Sequence, residues 1–179
     1  MALTSTIFTF DIDLADSDRG VYETLALRIA RHPSESDEFL VARLLAYCLE
    51  YDEGIEFSRG LSDPDEPPIA IRDLTGKLRA WIDIGTPAAD RLHRASKSAG
   101  RVAVYVHKDG TQWLAGLASA RIHRAADIAL RAIDRSLIAA LVARLDRRMS
   151  FALSVAEREM FVSFGDATLS GRVVTLQIP

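Results

Sequence analysis

Apolar and polar residues alternate with a period of two in several long runs, the spacing of strands that turn one face inward. Residues 4–14 place Phe8, Phe10, Ile12 and Leu14 on one side and Thr9, Asp11 and Asp13 on the other. Residues 21–31 alternate again, with Val21, Leu25, Leu27 and Ile29 on one side. The polar turn from Ala15 to Gly20 joins the two runs into a long β-hairpin. His32-Pro33 stops the second strand, because proline cannot donate to a ladder and constrains the residue before it. Ser34 is then expected to cap a helix whose first turn carries Glu35, Asp37 and Glu38, favourable at the positive end of the helix dipole. From Phe39 to Leu49 this helix is apolar nearly all round, broken only by Arg43, and so is expected to be buried.

An acidic, turn-rich stretch follows over residues 51–67, with one short extended piece from Ile55 to Phe57. Residues 67–73 read as a strand, joined through Leu74-Thr75-Gly76-Lys77 to a second strand over 78–84. Gly85 permits a tight exit, Thr86 is a candidate N-cap, and Pro87 suits the first position of a helix running to Ser98. The apolar run from Arg101 to Val106 suits a central parallel strand covered on both faces. Strand, helix and strand in this order make a right-handed crossover unit. Asp83 falls at the carboxyl end of its strand, where open α/β sheets form their functional crevice.

Residues 112–118 fit a short helix, and 128–133 fit either strand or helix, with the context favouring a short strand. Asp134 can cap a helix to about Arg148 through the stripe Leu137, Ile138, Leu141 and Leu145. The tail reads as a β-meander over 151–155, 160–164 and 169–178. The expected fold is α/β (α+β): one domain over residues 1–179, a mixed sheet flanked by helices.

Composition narrows the chemistry. A chain of 179 residues with 49% hydrophobic residues can bury one substantial core. It has no apolar run long enough to span a membrane and no basic-then-apolar leader, so a cytoplasmic protein without membrane attachment is expected, and a monomer is the expected state. Cys48 is the only cysteine, which excludes a disulfide framework and a cysteine zinc site. The four histidines lack metal-ligand spacing, no Gly-x-Ser-x-Gly elbow occurs, and no glycine fingerprint or Walker loop points to a nucleotide cofactor. Trp81 and Trp113 are expected to pack in the core or at its rim. The net charge of −3 gives no global attraction to nucleic acid, but it is segregated. Residues 35–83 hold twelve acidic and five basic side chains, whereas residues 84–148 hold twelve basic and five acidic. Such asymmetry is compatible with an acidic metal site beside a phosphate-contacting surface.

The order helix, short strand, strand, strand, helix, strand resembles the αβββαβ core of the PD-(D/E)XK nuclease superfamily, placed here at about residues 34–148. Four literal motifs resemble one bacterial family more closely: Arg31-His32-Pro33-Ser34-Glu35, Arg43-Leu44-Leu45-Ala46-Tyr47, Asp65-Glu66-Pro67 and Trp81-Ile82-Asp83-Ile84-Gly85-Thr86-Pro87. Together they are similar to the YaeQ family, which carries a variant of the nuclease-like fold, and the similarity runs through nearly the whole chain. The resemblance implies a Mg²⁺ site in which Asp83 matches the second acid, Glu66 the first (Asp65 and Asp73 competing) and Glu35 the glutamate of the first helix. A metal so held would polarise a phosphodiester and activate water. The lysine the pattern places two residues after the second acid is Gly85 here, and the following helix offers Arg91, His93, Arg94 and Lys97 instead. Arg94 and Lys97 are the expected replacements, although an arginine does not deprotonate and is a poor base. The resemblance therefore implies Mg²⁺-dependent hydrolysis of nucleic acid, or a descendant that has lost turnover and binds nucleic acid or a protein, in a role linked to transcription.

Overall fold

The structure is a computed structural model and describes residues 4–58 and 63–179. Its strands in chain order are β1 (Thr6–Asp16), β2 (Val21–Arg31), β3 (Ile55–Phe57), β4 (Ile69–Arg72), β5 (Leu78–Ile84), β6 (Arg101–Val106), β7 (Ala129–Ile133), β8 (Arg148–Ala156), β9 (Glu159–Ser163) and β10 (Thr168–Leu176). The helices are α1 (Asp37–Leu49), α2 (Ala89–Ser98), α3 (Thr111–Ala118) and α4 (Arg135–Ala143), a mixed α/β complement. Two compact units form: Met1–Val41 with Ile133–Val174, and Ala42–Ala132 with Thr175–Pro179.

In the first unit β1 pairs antiparallel with β2 from Thr6↔Arg31 to Asp16↔Val21, as the alternation requires. The tail forms the expected meander, with β8 antiparallel to β9 and β9 antiparallel to β10. β8 also runs parallel to β1, with Ile12 opposite Phe151 and Leu14 opposite Leu153. These residues and Phe8, Phe10 and Val155 are all buried, so one face of both strands supplies apolar core. Parallel pairing explains why α4 stops at Ala143 and not near Arg148. Arg148 is already opposite Thr9, Thr9 N–H donates to the Arg147 carbonyl (2.9 Å), and Arg147 Nε donates to the Ile7 carbonyl (2.7 Å). Ladder bonds claim residues whose local pattern favours helix. α4 also sits close against β10. A Cβ on Gly171 would lie 2.7 Å from Leu137 Cβ and 2.9 Å from Asp134 Cβ, so that approach needs glycine.

The start of α1 also differs from the expected cap. Ser36, not Ser34, caps it, its Oγ accepting from Phe39 N–H at 3.1 Å. Ser34 Oγ instead lies 2.6 Å from His32 Nδ1, and Glu35 Oε2 accepts from His32 N–H at 3.0 Å. Glu35 therefore closes the turn before the helix and is not part of it.

In the second unit β3, β4 and β5 are antiparallel neighbours, and β5, β6 and β7 are parallel. The ambiguous 128–133 segment is strand because Ala103↔Ala129 through Val106↔Ala132 pair it to β6. α2 crosses from β5 to β6 and covers one sheet face, packing Leu92, Ala95 and Ala99 into a cluster with Trp81, Val102, Val104, Val106 and Leu130. Thr86 is not its cap. The N-cap is Ala88, extended and without a side-chain cap bond, while the Pro87 carbonyl accepts from Trp113 Nε1 at 2.7 Å. Among the described residues, no helix is long and apolar enough to cross a membrane.

The expected Asp134 cap forms, accepting from Ser136 N–H at 2.8 Å and Ser136 Oγ at 2.6 Å. The bond from the Ser136 side chain, then that from its backbone, hold the Asp134 carboxyl below the ordinary carboxylate range. Because the folded value lies below the unfolded one, the charged cap contributes above the unfolded pKa of about 3.9 and is lost as pH falls through the folded value. Urea unfolding is expected to show Asp134→Ala costing about 1 kcal/mol near neutral pH. The gap to wild type should narrow on acidification, and Asp134→Asn, which keeps the acceptor, should show a smaller loss.

Candidate functional site

β5 delivers two side chains to the face covered by α2. Trp81 and Asp83 are two residues apart, and both are buried, at 2% and 3% exposure. Asp83 Oδ2 accepts from Trp81 Nε1 at 3.0 Å and from Arg91 Nε at 2.8 Å. Arg91 stands in the first turn of α2, which the tight exit through Gly85 brings back over the end of β5. Its other guanidinium nitrogens donate to the carbonyls of Pro64 and Glu66, each at 2.9 Å. Its guanidinium carbon lies 5.1 Å from the Trp81 ring centroid. One cation thus ties a helix, a strand and a loop to a single buried carboxylate.

Gly85 lies at φ +89 and donates its N–H to the Tyr105 carbonyl at 2.8 Å. A Cβ here would meet only His107 Cε1, at 3.7 Å, so space is available. The backbone conformation is the obstacle, because L side chains rarely adopt it. The position at which the nuclease pattern carries lysine is one where this chain needs glycine.

The remaining expected site residues have other contacts. Glu66 is exposed and contributes its backbone carbonyl to Arg91. Asp65 is exposed and lies 3.9 Å from Arg94 Nε, a weak surface pair. Asp73 organises the β4–β5 turn, accepting from Thr75 Oγ1 at 2.6 Å and Lys77 N–H at 3.0 Å, and the Thr75 bond first among these lowers its pKa. Arg94 and Lys97 are exposed on α2. Glu35 belongs to the first unit, whereas Glu66 and Asp83 belong to the second.

A magnesium ligand needs open carboxylate lone pairs among other oxygen donors. Asp83 already receives an indole N–H and a guanidinium on one oxygen, and the guanidinium charge would repel a dication. Among the described residues no three His, Cys, Asp or Glu side chains are grouped to hold a metal ion. The donor set around Asp83 does not fit Mg²⁺. Cys48 offers no alternative nucleophile, since complete burial pushes its thiol up to about 12.

A second charged cluster escaped sequence reasoning. Glu50, one residue beyond α1, is 3% exposed. Its Oε1 accepts from Tyr105 Oη at 2.7 Å and from an Arg131 terminal nitrogen at 3.0 Å, and its Oε2 pairs with Arg101. The same Arg131 nitrogen donates to Tyr105 Oη at 2.6 Å. Burial first, and the Glu50 charge second, push the Tyr105 hydroxyl above its usual pKa, so it stays protonated and donates. Arg101 and Tyr105 share one face of β6, and Tyr105 is in register with Arg131 of β7. That face is opposite the one α2 covers. The cluster joins residues up to 81 positions apart, which no local pattern reveals.

Comparison with known proteins gives a consistent set of relatives. A family model described as YaeQ protein matches residues 1–173. The uncharacterised YaeQ proteins of Salmonella typhi and Escherichia coli K12 are 30% and 29% identical, each match covering 100% of this chain and 99% of the relative. The crystal structure of YaeQ from Pseudomonas syringae superposes with a TM-score of 0.87 at 31% identity, over 97% of this chain and 96% of that one. That of YaeQ from Xanthomonas axonopodis pv. citri gives 0.86 at 30%, over 98% and 100%.

Breaking a buried ion pair from one side strands the other charge. Arg91→Met is therefore expected to lower stability by about 3–5 kcal/mol, more than Asp83→Asn, with partial recovery in the Arg91→Met/Asp83→Leu double variant. Urea unfolding of the four proteins checks this. A loss below about 1 kcal/mol for Arg91→Met would mean the pair is no more than a surface contact.

Proposed function

The chain belongs to the YaeQ family, and we propose that it uses a nuclease-like core to bind nucleic acid without hydrolysing it. The order α1, β3, β4, β5, α2, β6 supports the nuclease-like reading of the core. One observation carries the non-hydrolytic reading: the Asp83 carboxylate is buried and held by Arg91 and Trp81. Hydrolysis through Glu35, Glu66 and Asp83 with Mg²⁺ would first require Asp83 to leave that pair. The left-handed backbone at Gly85 disfavours the lysine such chemistry uses. Asp83 is thus part of the internal structure, whereas Arg94 and Lys97 of α2 reach solvent. Two cations a turn apart on an exposed helix suit successive backbone phosphates, which attract them by charge without reading sequence.

Fluorescence anisotropy with labelled single- and double-stranded oligonucleotides tests this. Wild type is expected to bind at low salt. Arg94→Gln/Lys97→Gln should weaken binding and reduce the salt slope by up to about two phosphate equivalents. Neither Mg²⁺ nor Mn²⁺ should produce cleavage. Absence of binding at low salt would pass the lead to a protein partner, and metal-dependent cleavage abolished by Asp83→Asn would restore the hydrolytic reading.

A further inference from the structure

We propose that Arg101 and Arg131, held in place by Glu50, form a binding site for a phosphate group of a small ligand, on the sheet face opposite α2. The argument begins with the charge balance. Glu50 offers one negative charge against two guanidinium groups, and Tyr105 is neutral. One arginine would neutralise the carboxylate, so the second leaves a net positive charge. Asp52, two residues further along the chain, has its own partner in Arg79 at 3.5 Å.

Exposure separates the partners. The Glu50 side chain is 4% exposed, but those of Arg101 and Arg131 are 43% and 37% exposed. Both Glu50 oxygens receive donors from Tyr105, Arg131 and Arg101, so it acts as a positioning residue and not as a base or metal ligand. Each arginine spends one terminal nitrogen on this anchor. Among the described residues the Nε and second terminal nitrogen of each are not engaged by protein groups. Guanidinium forks match oxyanions bidentately, and two of them converging on opposite oxygens of one carboxylate are already close together. Pre-organisation by Glu50 and Tyr105 also lowers the side-chain entropy lost on binding. An oxyanion bound by both forks would meet the surplus charge, and a phosphate dianion would do so better than a monoanion.

The site stands apart from the α2 surface, so its test can fail independently of the nucleic-acid reading. Inorganic phosphate, titrated into the full chain at low ionic strength and followed by calorimetry, is the probe. Wild type is expected to bind one equivalent saturably. Arg101→Gln and Arg131→Gln should each weaken binding about tenfold or more, and Arg101→Lys should fall between, having charge but no fork. Lys97→Gln, on the opposite face, should leave phosphate binding unchanged, and Arg101→Gln should leave oligonucleotide binding unchanged. Circular dichroism of each variant checks that the fold persists, and Arg101→Lys keeps the test decisive if a glutamine variant unfolds. No saturable binding by wild type up to about 50 mM phosphate, or equal weakening by Lys97→Gln, would overturn the proposal.

Discussion

The guanidinium of Arg91 is the contact on which the second unit's arrangement depends. Its three nitrogens reach the Asp83 carboxylate and the carbonyls of Pro64 and Glu66. Those groups belong to β5 and to the loop ahead of β4, while Arg91 itself stands in the first turn of α2. Trp81 contributes twice, its N–H to the same carboxylate and its ring beneath the cation. Loss of the charge would leave an ionised carboxylate in a buried position and two loop carbonyls without a donor. The pair therefore closes the carboxyl end of β5, the place where an open α/β sheet would ordinarily receive a ligand.

Closure and the glycine at position 85 have a common origin in the β5 exit. The chain must turn from a strand directly into a crossover helix that packs Leu92 and Ala95 onto the sheet. Gly85 makes that turn with a positive φ, and its N–H is held by the Tyr105 carbonyl of β6. A lysine at this position would carry backbone strain, so the cation that meets Asp83 comes from the helix. Of the basic residues that α2 offers, Arg91 is in the first turn, nearest the strand end, and Arg94 and Lys97 point away to solvent. The carboxylate of β5 and the cation of α2 are thus arranged as a structural pair.

Strands marked by alternation or by a short apolar run were legible from the residues alone: β2, β5 and the apolar β6 have the expected limits, and β1 is displaced by two residues. The same local signals misplaced helix ends, since Ser34, Ser36 and Thr86 are all acceptable caps by type. The choice among them was made by Glu35 folding back on His32 and by Pro87 accepting from Trp113. α4 was overextended because its pattern continues past Ala143, where pairing of β8 with β1 takes over. Asp83 was visible as the acid at a strand end, but its partner was not singled out from several basic residues on one helix. The Glu50 cluster gave no signal, because its members are 51, 55 and 81 positions apart and only the parallel register of β6 and β7 assembles them.

The two arginine–carboxylate clusters of this unit show how the same groups can serve opposite ends. At Asp83 one cation faces one anion, the Arg91 side chain is 21% exposed, and all its nitrogens are occupied. Little charge and few donors remain for anything else, which suits a joint between elements. At Glu50 two cations face one anion, both are more exposed, and each retains donors. Its location sharpens the contrast. A carboxylate just past the C-terminal end of α1 is disfavoured by the helix dipole, and a cation there is favoured. One arginine would suffice to offset that. The second, carried on β7 and aligned through Tyr105, exceeds what a structural joint requires, and that excess distinguishes a surface prepared for an anion from one that merely holds the fold together.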